Sequence, residues 1–280
     1  GRRNKMRNFL TRTASAIVFV ILFLGGLLWH PTAFAIIFTA VVAIMSFEYM
    51  RITLGDKERV AQGISIFANI LTFLLFFAVY RYGIPSQWLL IIPLMIIPIL
   101  ISALYCKDSD GYKGVSFTLS SILYIALPFA LTNLVVFNGD NQFNGIILLS
   151  IMVIIWASDV GAYLFGITLG RKFGKKLFPS VSPNKSWVGY FGGLIISVLA
   201  GYAMYKIGIM RYDLSDVLML TLIINITSTF GDLVESQLKR NFGVKDSGKI
   251  MPGHGGLLDR FDGALFAFPA AVAYIILTNL

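Results

Sequence analysis

Residues Gly145–Gly170 read GIILLSIMVIIWASDVGAYLFGITLG. This stretch is long and apolar enough for an α-helix to cross a bilayer, which takes roughly twenty residues. It holds one carboxylate, Asp159, which is costly in a membrane unless it is paired, hydrated or bound to a cation. Asp159, Tyr163 and Gly166 have i, i+4 and i+7 spacing and therefore share one helix face. We predict a transmembrane helix in which Asp159 either serves function or forms a buried salt bridge.

Eight further apolar stretches have a comparable character, so we expect an all-α, polytopic integral membrane protein with about nine transmembrane helices. The 280 residues are 57% hydrophobic and 13% charged, whereas charged residues make up about a quarter of a soluble domain. The predicted spans cover approximately 14–29, 32–50, 61–80, 87–105, 115–137, 145–170, 187–207, 214–240 and 262–280. We divide the chain into an N-terminal scaffold of about five spans, residues 1–144, and a C-terminal membrane domain of about four spans, residues 145–280, which carries the two most polar loops.

The distribution of basic residues predicts the orientation. The net charge is +9, and we attribute it to membrane topology rather than to a nucleic-acid partner. With a cytoplasmic N-terminus, 20 of the 23 Lys and Arg residues face the cytoplasm, and Arg81, Lys206 and Arg211 lie outside. Both polar loops, residues 171–186 and 241–259, then face the cytoplasm. We expect a multi-pass protein of the inner (plasma) cell membrane with its active site on the cytoplasmic side.

The N-terminus and the cysteine content add two expectations. Met6 is a candidate native start, and we expect no cleavable signal peptide because no small-residue cleavage site follows the first apolar run. Cys106 is the single cysteine, which excludes an intrachain disulfide and a cysteine metal site.

The eighth predicted span ends in a polar face. Asp232, Glu235, Ser236 and Lys239 follow i, i+3, i+4 and i+7 spacing in STFGDLVESQLKR. For Glu235 and Lys239 the competing interpretation is a helix end that emerges into water. Asp232 follows the apolar stretch TLIINITSTFG, which favours a functional role for this carboxylate.

Two pairs elsewhere have simpler interpretations. Glu48 lies one turn before Arg51 at the end of the second span, and we interpret them as a surface ion pair. Gly189 and Gly193 have the GxxxG spacing that favours close helix packing.

The two cytoplasmic loops carry the residue types that bind phosphate and metal. In the first loop Pro183 suits a turn, and Ser182, Lys185 and Ser186 can present polar groups to phosphate at a helix N-terminus. The second loop combines bases, carboxylates and glycines, a mixture that suits a polyphosphate with a divalent metal. Its charged residues are Lys239, Arg240, Lys245, Asp246, Lys249, Asp259, Arg260 and Asp262.

The second loop also carries a family resemblance. Ser236–Arg240, Lys245-Asp246 and the stretch HGGLLDRFD, His254–Asp262, closely resemble the signature of phosphatidate cytidylyltransferases, also called CDP-diacylglycerol synthases. The upstream stretches ASDVGAYLFG and SPNKSWVG are similar to that family as well. The resemblance covers 157–262, over a third of the chain.

The resemblance implies that CTP and phosphatidic acid, a membrane lipid, give CDP-diacylglycerol and pyrophosphate with Mg²⁺, as one cation or two. It also implies a homodimer, with the dimer contacts in residues 1–144 and catalysis in residues 145–280. We assign Asp232 and Asp259 as metal ligands, with Asp262 and Asp246 as second choices. The other candidate catalytic residues are Lys239, Arg240 and His254; those for substrate binding are Asp159, Ser182, Lys185, Ser186, Lys245, Gly255, Gly256 and Arg260. The role of His254 stays open between a phosphate hydrogen bond and proton donation to the leaving pyrophosphate.

Two other functions are weighed against this one. A CTP-dependent kinase of a lipid alcohol such as polyprenol would release CDP instead of pyrophosphate. An ion-coupled transporter would use Asp159 and Asp232 at mid-depth, but the polar residues gather on one face and the outside loops are nearly bare.

Overall fold

The computed structural model describes residues 2–106, 111–170, 174–251 and 253–280, with side chains from residue 13 onward. Within these residues, eight helices are long and apolar enough to cross a membrane, and a shorter apolar helix covers Thr13–Leu28. The eight are Pro31–Leu54, Arg59–Tyr82, Ser86–Tyr105, Gly111–Val136, Ile146–Thr168, Trp187–Lys206, Leu214–Asn241 and Leu258–Leu277. The predicted helical, polytopic membrane character is confirmed.

The chain folds into two compact units. The first contains residues 1–133, 137–143 and 242–260, and the second contains residues 134–136, 144–241 and 261–280. Residues 242–260 carry most of the family signature and are called the signature loop below. They therefore belong to the same unit as the first 133 residues. The predicted assignment of scaffold and catalytic roles to 1–144 and 145–280 stays a prediction.

Five membrane helices form most of the first unit: α1 (Arg2–Leu28), α2 (Pro31–Leu54), α3 (Arg59–Tyr82), α4 (Ser86–Tyr105) and α5 (Gly111–Val136). The His30 ring caps α2 by accepting a hydrogen bond from the Thr32 amide. Segment α4 is interrupted at Met95, between Ile91–Leu94 and Ile96–Ser102. Segment α5 contains a π-helical turn, Ile122–Ala126. Pro128 follows two residues later and disturbs the helix, because its ring crowds a carbonyl of the preceding turn and its nitrogen has no N–H to donate.

The core of the first unit is aromatic, with a polar network beside it. Phe34, Phe38 and Phe73 are fully buried, and their rings contact one another. Asn69 of α3 donates to the hydroxyls of Ser46 and Ser121, which joins α3 to α2 and α5.

The second unit contains α6 (Ile146–Thr168), the strands β1 (Lys176–Phe178) and β2 (Ser182–Ser186), α7 (Trp187–Lys206) and α8 (Leu214–Asn241). Its last helix is Ala264–Leu277, here α10, preceded by the short helix α9, Leu258–Phe261. Helix α8 has 28 residues, about 42 Å at 1.5 Å per residue, so it exceeds the roughly 30 Å hydrocarbon layer as expected.

Glycines hold α6 and α7 close together. A Cβ on Gly193 would lie 2.7 Å from the Ser158 carbonyl oxygen, and one on Gly189 would lie 2.9 Å from that of Ala162. The predicted close packing at this GxxxG pair is confirmed.

The hairpin corrects one expectation. Strands β1 and β2 pair antiparallel and add a small two-stranded sheet to the otherwise helical fold. The turn lies at residues 179–181, and Pro183 lies within β2 instead of in the turn. A proline is tolerated there because a two-stranded ribbon has free edges that need no N–H donor. Ser186 does stand at a helix N-terminus: its Oγ accepts a hydrogen bond from the Gly189 amide and caps α7.

Candidate active site

Three carboxylates of the second unit form an acidic cluster: Asp232, Glu235 and Asp262. Each offers an oxygen within 4.8 Å of the other two. Asp232 and Glu235 come from successive turns of α8, and Gly231 allows the third to approach, because a Cβ there would lie 2.5 Å from the Asp262 carbonyl oxygen. Three converging carboxylate oxygens fit a hard divalent cation such as Mg²⁺, which prefers oxygen ligands.

Two lysines contact the acidic cluster. Lys185 of β2 forms an ion pair with Asp232, and Lys239 forms one with Glu235 at 2.9 Å. The interpretation that Glu235 marks a helix end in water is wrong, because its side chain is only 1% exposed. Glu235 is therefore a candidate metal ligand that the predicted set lacks, although its i, i+3 spacing from Asp232 was a usable signal.

The other predicted residues of the second unit lie around this cluster or away from it. Asp159 lies close enough to Asp262 for the two carboxylates to interact electrostatically. The Ser236 hydroxyl lies 3.4 Å from Asp232, which accepts its hydrogen bond. Arg240, one residue beyond Lys239, is exposed, as are Pro183 and Asn184 beside the half-buried Ser182.

In the first unit, the loop of residues 242–260 surrounds a cavity of about 530 Å³. The charged and polar side chains that line it are Lys245, Asp246, Lys249, His254 and Arg260. Gly253 and Gly255 have positive φ angles of 78° and 82°, a conformation that glycine adopts without steric cost. Two of the five bases predicted to contact phosphate, Lys245 and Arg260, therefore lie at this cavity.

Asp259 braces this loop. Its Oδ2 accepts hydrogen bonds from the amides of Ser247 and Gly256, each at 2.9 Å. The Gly256 N–H, predicted to approach phosphate, thus donates within the loop. The role of Asp259 as a metal ligand stays a prediction, and the cluster of the second unit offers Glu235 in addition to Asp232 and Asp262.

His254 and Arg260 are connected within the loop. Arg260 Nη2 donates to the His254 carbonyl oxygen at 2.7 Å, and His254 Nδ1 lies 3.2 Å from the Ser15 hydroxyl of α1. The imidazole of His254 is therefore oriented by a residue from the first helix, which the sequence did not indicate.

The interpretation of Glu48 as the partner of Arg51 is wrong. Arg51 pairs with Asp56 at 2.7 Å, on the exposed surface. Glu48 is only 4% exposed and accepts hydrogen bonds from the signature loop. The i, i+3 spacing on the helix suggested Arg51 as the partner of Glu48, because local spacing carries no information on partners about 200 residues away.

A polytopic membrane protein with a cluster of three carboxylates, two of them on one helix, and with a basic loop cavity has the parts of a membrane enzyme for phosphorylated substrates. Residues 10–278 match the model of the Cytidylyltransferase family, and the chain belongs to that family. It is 30% identical to a phosphatidate cytidylyltransferase of Staphylococcus epidermidis over 281 residues, 95% of this chain and 99% of the relative. A phosphatidate cytidylyltransferase of Staphylococcus aureus is 40% identical over 164 residues, 58% of this chain and 60% of the relative.

Proposed function

We propose that this chain transfers the CMP moiety of CTP to phosphatidic acid and releases CDP-diacylglycerol and pyrophosphate for phospholipid synthesis. The observation that carries the proposal is the cluster of Asp232, Glu235 and Asp262 with two lysines against it, in a chain of the cytidylyltransferase family. The Staphylococcus epidermidis relative named phosphatidate cytidylyltransferase matches this chain over 99% of its own length.

The chemistry requires positioning more than it requires a base. A phosphate monoester is already anionic at neutral pH, since its second pKa is about 6. Its oxygen forms a bond to the α-phosphorus of CTP while the bond from that phosphorus to the pyrophosphate oxygen breaks. The main barrier is the repulsion between two polyanions, so the protein must hold them in line and neutralise their charge.

Asp232, Glu235 and Asp262 would hold the divalent cation, and Asp259 stays a second candidate ligand. A bound Mg²⁺ supplies positive charge to phosphate oxygens. Lys185 and Lys239 lie against the carboxylates and balance part of their charge. We propose that their ammonium groups also donate charge-assisted hydrogen bonds to anionic oxygens of the nucleotide.

The basic side chains around the loop cavity of the first unit suit anionic phosphate groups. Lys245, Lys249 and Arg260 give it three basic side chains, and Gly253 and Gly255 keep its backbone free of side-chain bulk. We propose that these bases, with the ring of His254, bind phosphate oxygens of the substrates. Asp246 lines the same cavity and is a candidate partner for one of the bases.

The membrane arrangement is part of the proposal. We propose nine spans, a cytoplasmic N-terminus and an active site on the cytoplasmic face of the cell membrane, because 20 of 23 basic residues then lie inside. CTP is soluble, and the phosphate of phosphatidic acid lies at headgroup depth, so the reaction must take place at such an interface. The homodimer is proposed from the family resemblance.

An incubation with labelled CTP tests the proposed function. The purified chain is incubated with CTP labelled in the cytosine ring, phosphatidic acid and Mg²⁺, and the lipid phase and released phosphates are analysed. A CDP-lipid together with pyrophosphate is expected. In a parallel reaction with a polyprenol in place of phosphatidic acid, release of CDP with phosphorylated polyprenol would indicate the kinase. The absence of both CDP-lipid and pyrophosphate in the first reaction would overturn the proposal. The variant Asp232→Asn serves as the inactive control.

A further inference from the structure

Glu48 is a buried carboxylate that lies far along the chain from the loop it contacts. It belongs to α2, in the first unit, and 4% of it is exposed. Its hydrogen-bond partners lie 199 to 210 residues later, in the signature loop of the same unit. None of the catalytic roles proposed above uses this side chain.

Both oxygens of Glu48 accept hydrogen bonds from the loop. Oε1 accepts from the Leu257 amide at 3.1 Å, and Oε2 accepts from the Leu258 amide at 2.8 Å. The Ser247 hydroxyl donates to Oε2 at 3.2 Å, and the same hydroxyl accepts from the Asp259 amide at 3.2 Å. One carboxylate thus fixes two separate parts of the loop, at 247 and at 257–258.

The loop is closed tightly around this carboxylate. A Cβ on Gly256 would lie 2.6 Å from both Glu48 oxygens, and one on Gly248 would lie 2.9 Å from Glu48 Cδ. A buried charge is costly unless hydrogen bonds or an opposite charge compensate it. Among the described residues no Lys or Arg pairs with Glu48, so the three loop donors supply that compensation.

We infer that Glu48 is a positioning residue of the active site, whose carboxylate holds the loop of residues 242–260 in the shape that gathers its bases around one cavity. Leu257 and Leu258 directly precede Asp259 and Arg260, so the backbone that Glu48 fixes carries two candidate site residues. The expected effect on kcat rests on the proposed function, but the expected effect on the conformation of the loop does not.

Hydrogen exchange of the full chain in detergent micelles measures that effect directly. In Glu48→Gln the new amide nitrogen cannot accept a hydrogen bond, so one oxygen must serve donors that two oxygens serve now. Peptides covering 245–260 should exchange at least about tenfold faster than in the unchanged protein, which corresponds to 1.4 kcal/mol. Trypsin should also cleave faster after Lys245 and Lys249.

The matched control is Ser46→Ala. Ser46 is a buried polar residue of the same helix, and its hydroxyl contacts Asn69 and the Val42 carbonyl but not the loop. This variant should leave exchange in 245–260 and kcat unchanged.

Glu48→Gln should lower kcat for CDP-lipid formation about 10- to 100-fold, the usual loss when a group that orients a site residue is removed. Glu48→Asp keeps two acceptor oxygens and should recover part of this loss.

Three results would overturn the inference: unchanged loop exchange in Glu48→Gln, an equal increase in Ser46→Ala, or a lower melting temperature with normal kcat per folded molecule. If Glu48→Gln does not fold, Ser247→Ala decides, because it keeps the carboxylate but removes the hydroxyl that donates to Glu48 and accepts from the Asp259 amide. Faster exchange at Leu257 and Leu258, whose amides donate to Glu48 and not to Ser247, supports the inference. Faster exchange confined to Asp259, which loses its acceptor directly, contradicts it. If the unchanged protein makes no CDP-lipid, the proposed function fails while the exchange result still stands.

Discussion

The acidic cluster and the signature loop hold their charged groups in different ways. Asp232 and Glu235 lie on successive turns of α8, so helix geometry alone places them on one face. The loop of residues 242–260 has little regular structure, and its shape depends on hydrogen bonds to Asp259 and to the distant Glu48. A site on a helix tolerates changes elsewhere, whereas a site on a loop depends on whatever braces it. Variants in the cluster should therefore change the chemistry alone, and variants in the loop should change its shape as well.

The largest effect is expected from Asp232→Asn in the acidic cluster. The change keeps the size of the side chain but removes the charge that pairs with Lys185 and would hold the cation. We expect kcat to fall about 1,000-fold, about 4 kcal/mol in the barrier, at saturating Mg²⁺. Loop hydrogen exchange should not change, because helix α8 fixes this residue.

Asp213→Asn is the matched control, since Asp213 is an exposed carboxylate just before the same helix. It should retain full turnover. Near-normal turnover in Asp232→Asn would instead remove this residue from the metal site.

A second comparison separates Glu235 from Asp259 as metal ligands. Glu235→Gln should lower kcat about 100-fold and raise the Mg²⁺ concentration for half-maximal rate about tenfold, as expected for a lost charged ligand.

Asp259→Asn retains an oxygen that can accept from Ser247 and Gly256, so its kcat should stay within about fivefold of that of the unchanged protein. Asp259→Ala removes that acceptor and should lower kcat about 100-fold without changing the Mg²⁺ dependence. A large shift in Mg²⁺ dependence for both Asp259 variants would transfer the ligand role to Asp259.

Lys185→Ala should have a smaller effect, mainly on CTP binding. Removal of one ammonium that can contact phosphate should raise KM for CTP about tenfold, about 1.4 kcal/mol, with a smaller change in kcat. The control Lys176→Ala removes an exposed lysine from the other strand of the same hairpin. A lower kcat with unchanged KM would mean that Lys185 acts only through Asp232.

Helix spacing in the sequence could predict most of the acidic cluster, whereas the contacts that shape the loop could not be predicted from it. Hydropathy located the helices to within a few residues, because membrane spans depend on local composition, and helix spacing placed Asp232 beside Glu235. Glu48 was misassigned because a helical neighbour, Arg51, offered an obvious partner, and the real partners are distant in sequence. The burial of Glu235 likewise depends on tertiary packing, which local polarity does not reveal.

Arg51→Ala should have the smallest effect, and it sharpens the contrast with Glu48 one turn earlier on α2. Arg51 pairs with Asp56, and both side chains are more than half exposed, at 56% and 74%. Exposed ion pairs contribute about 0–1 kcal/mol, so the melting temperature and turnover should stay close to normal. Loop exchange at 245–260 should also be unchanged, in contrast to Glu48→Gln. Faster loop exchange in Arg51→Ala would show that the end of α2 as a whole, and not the Glu48 carboxylate, braces the loop.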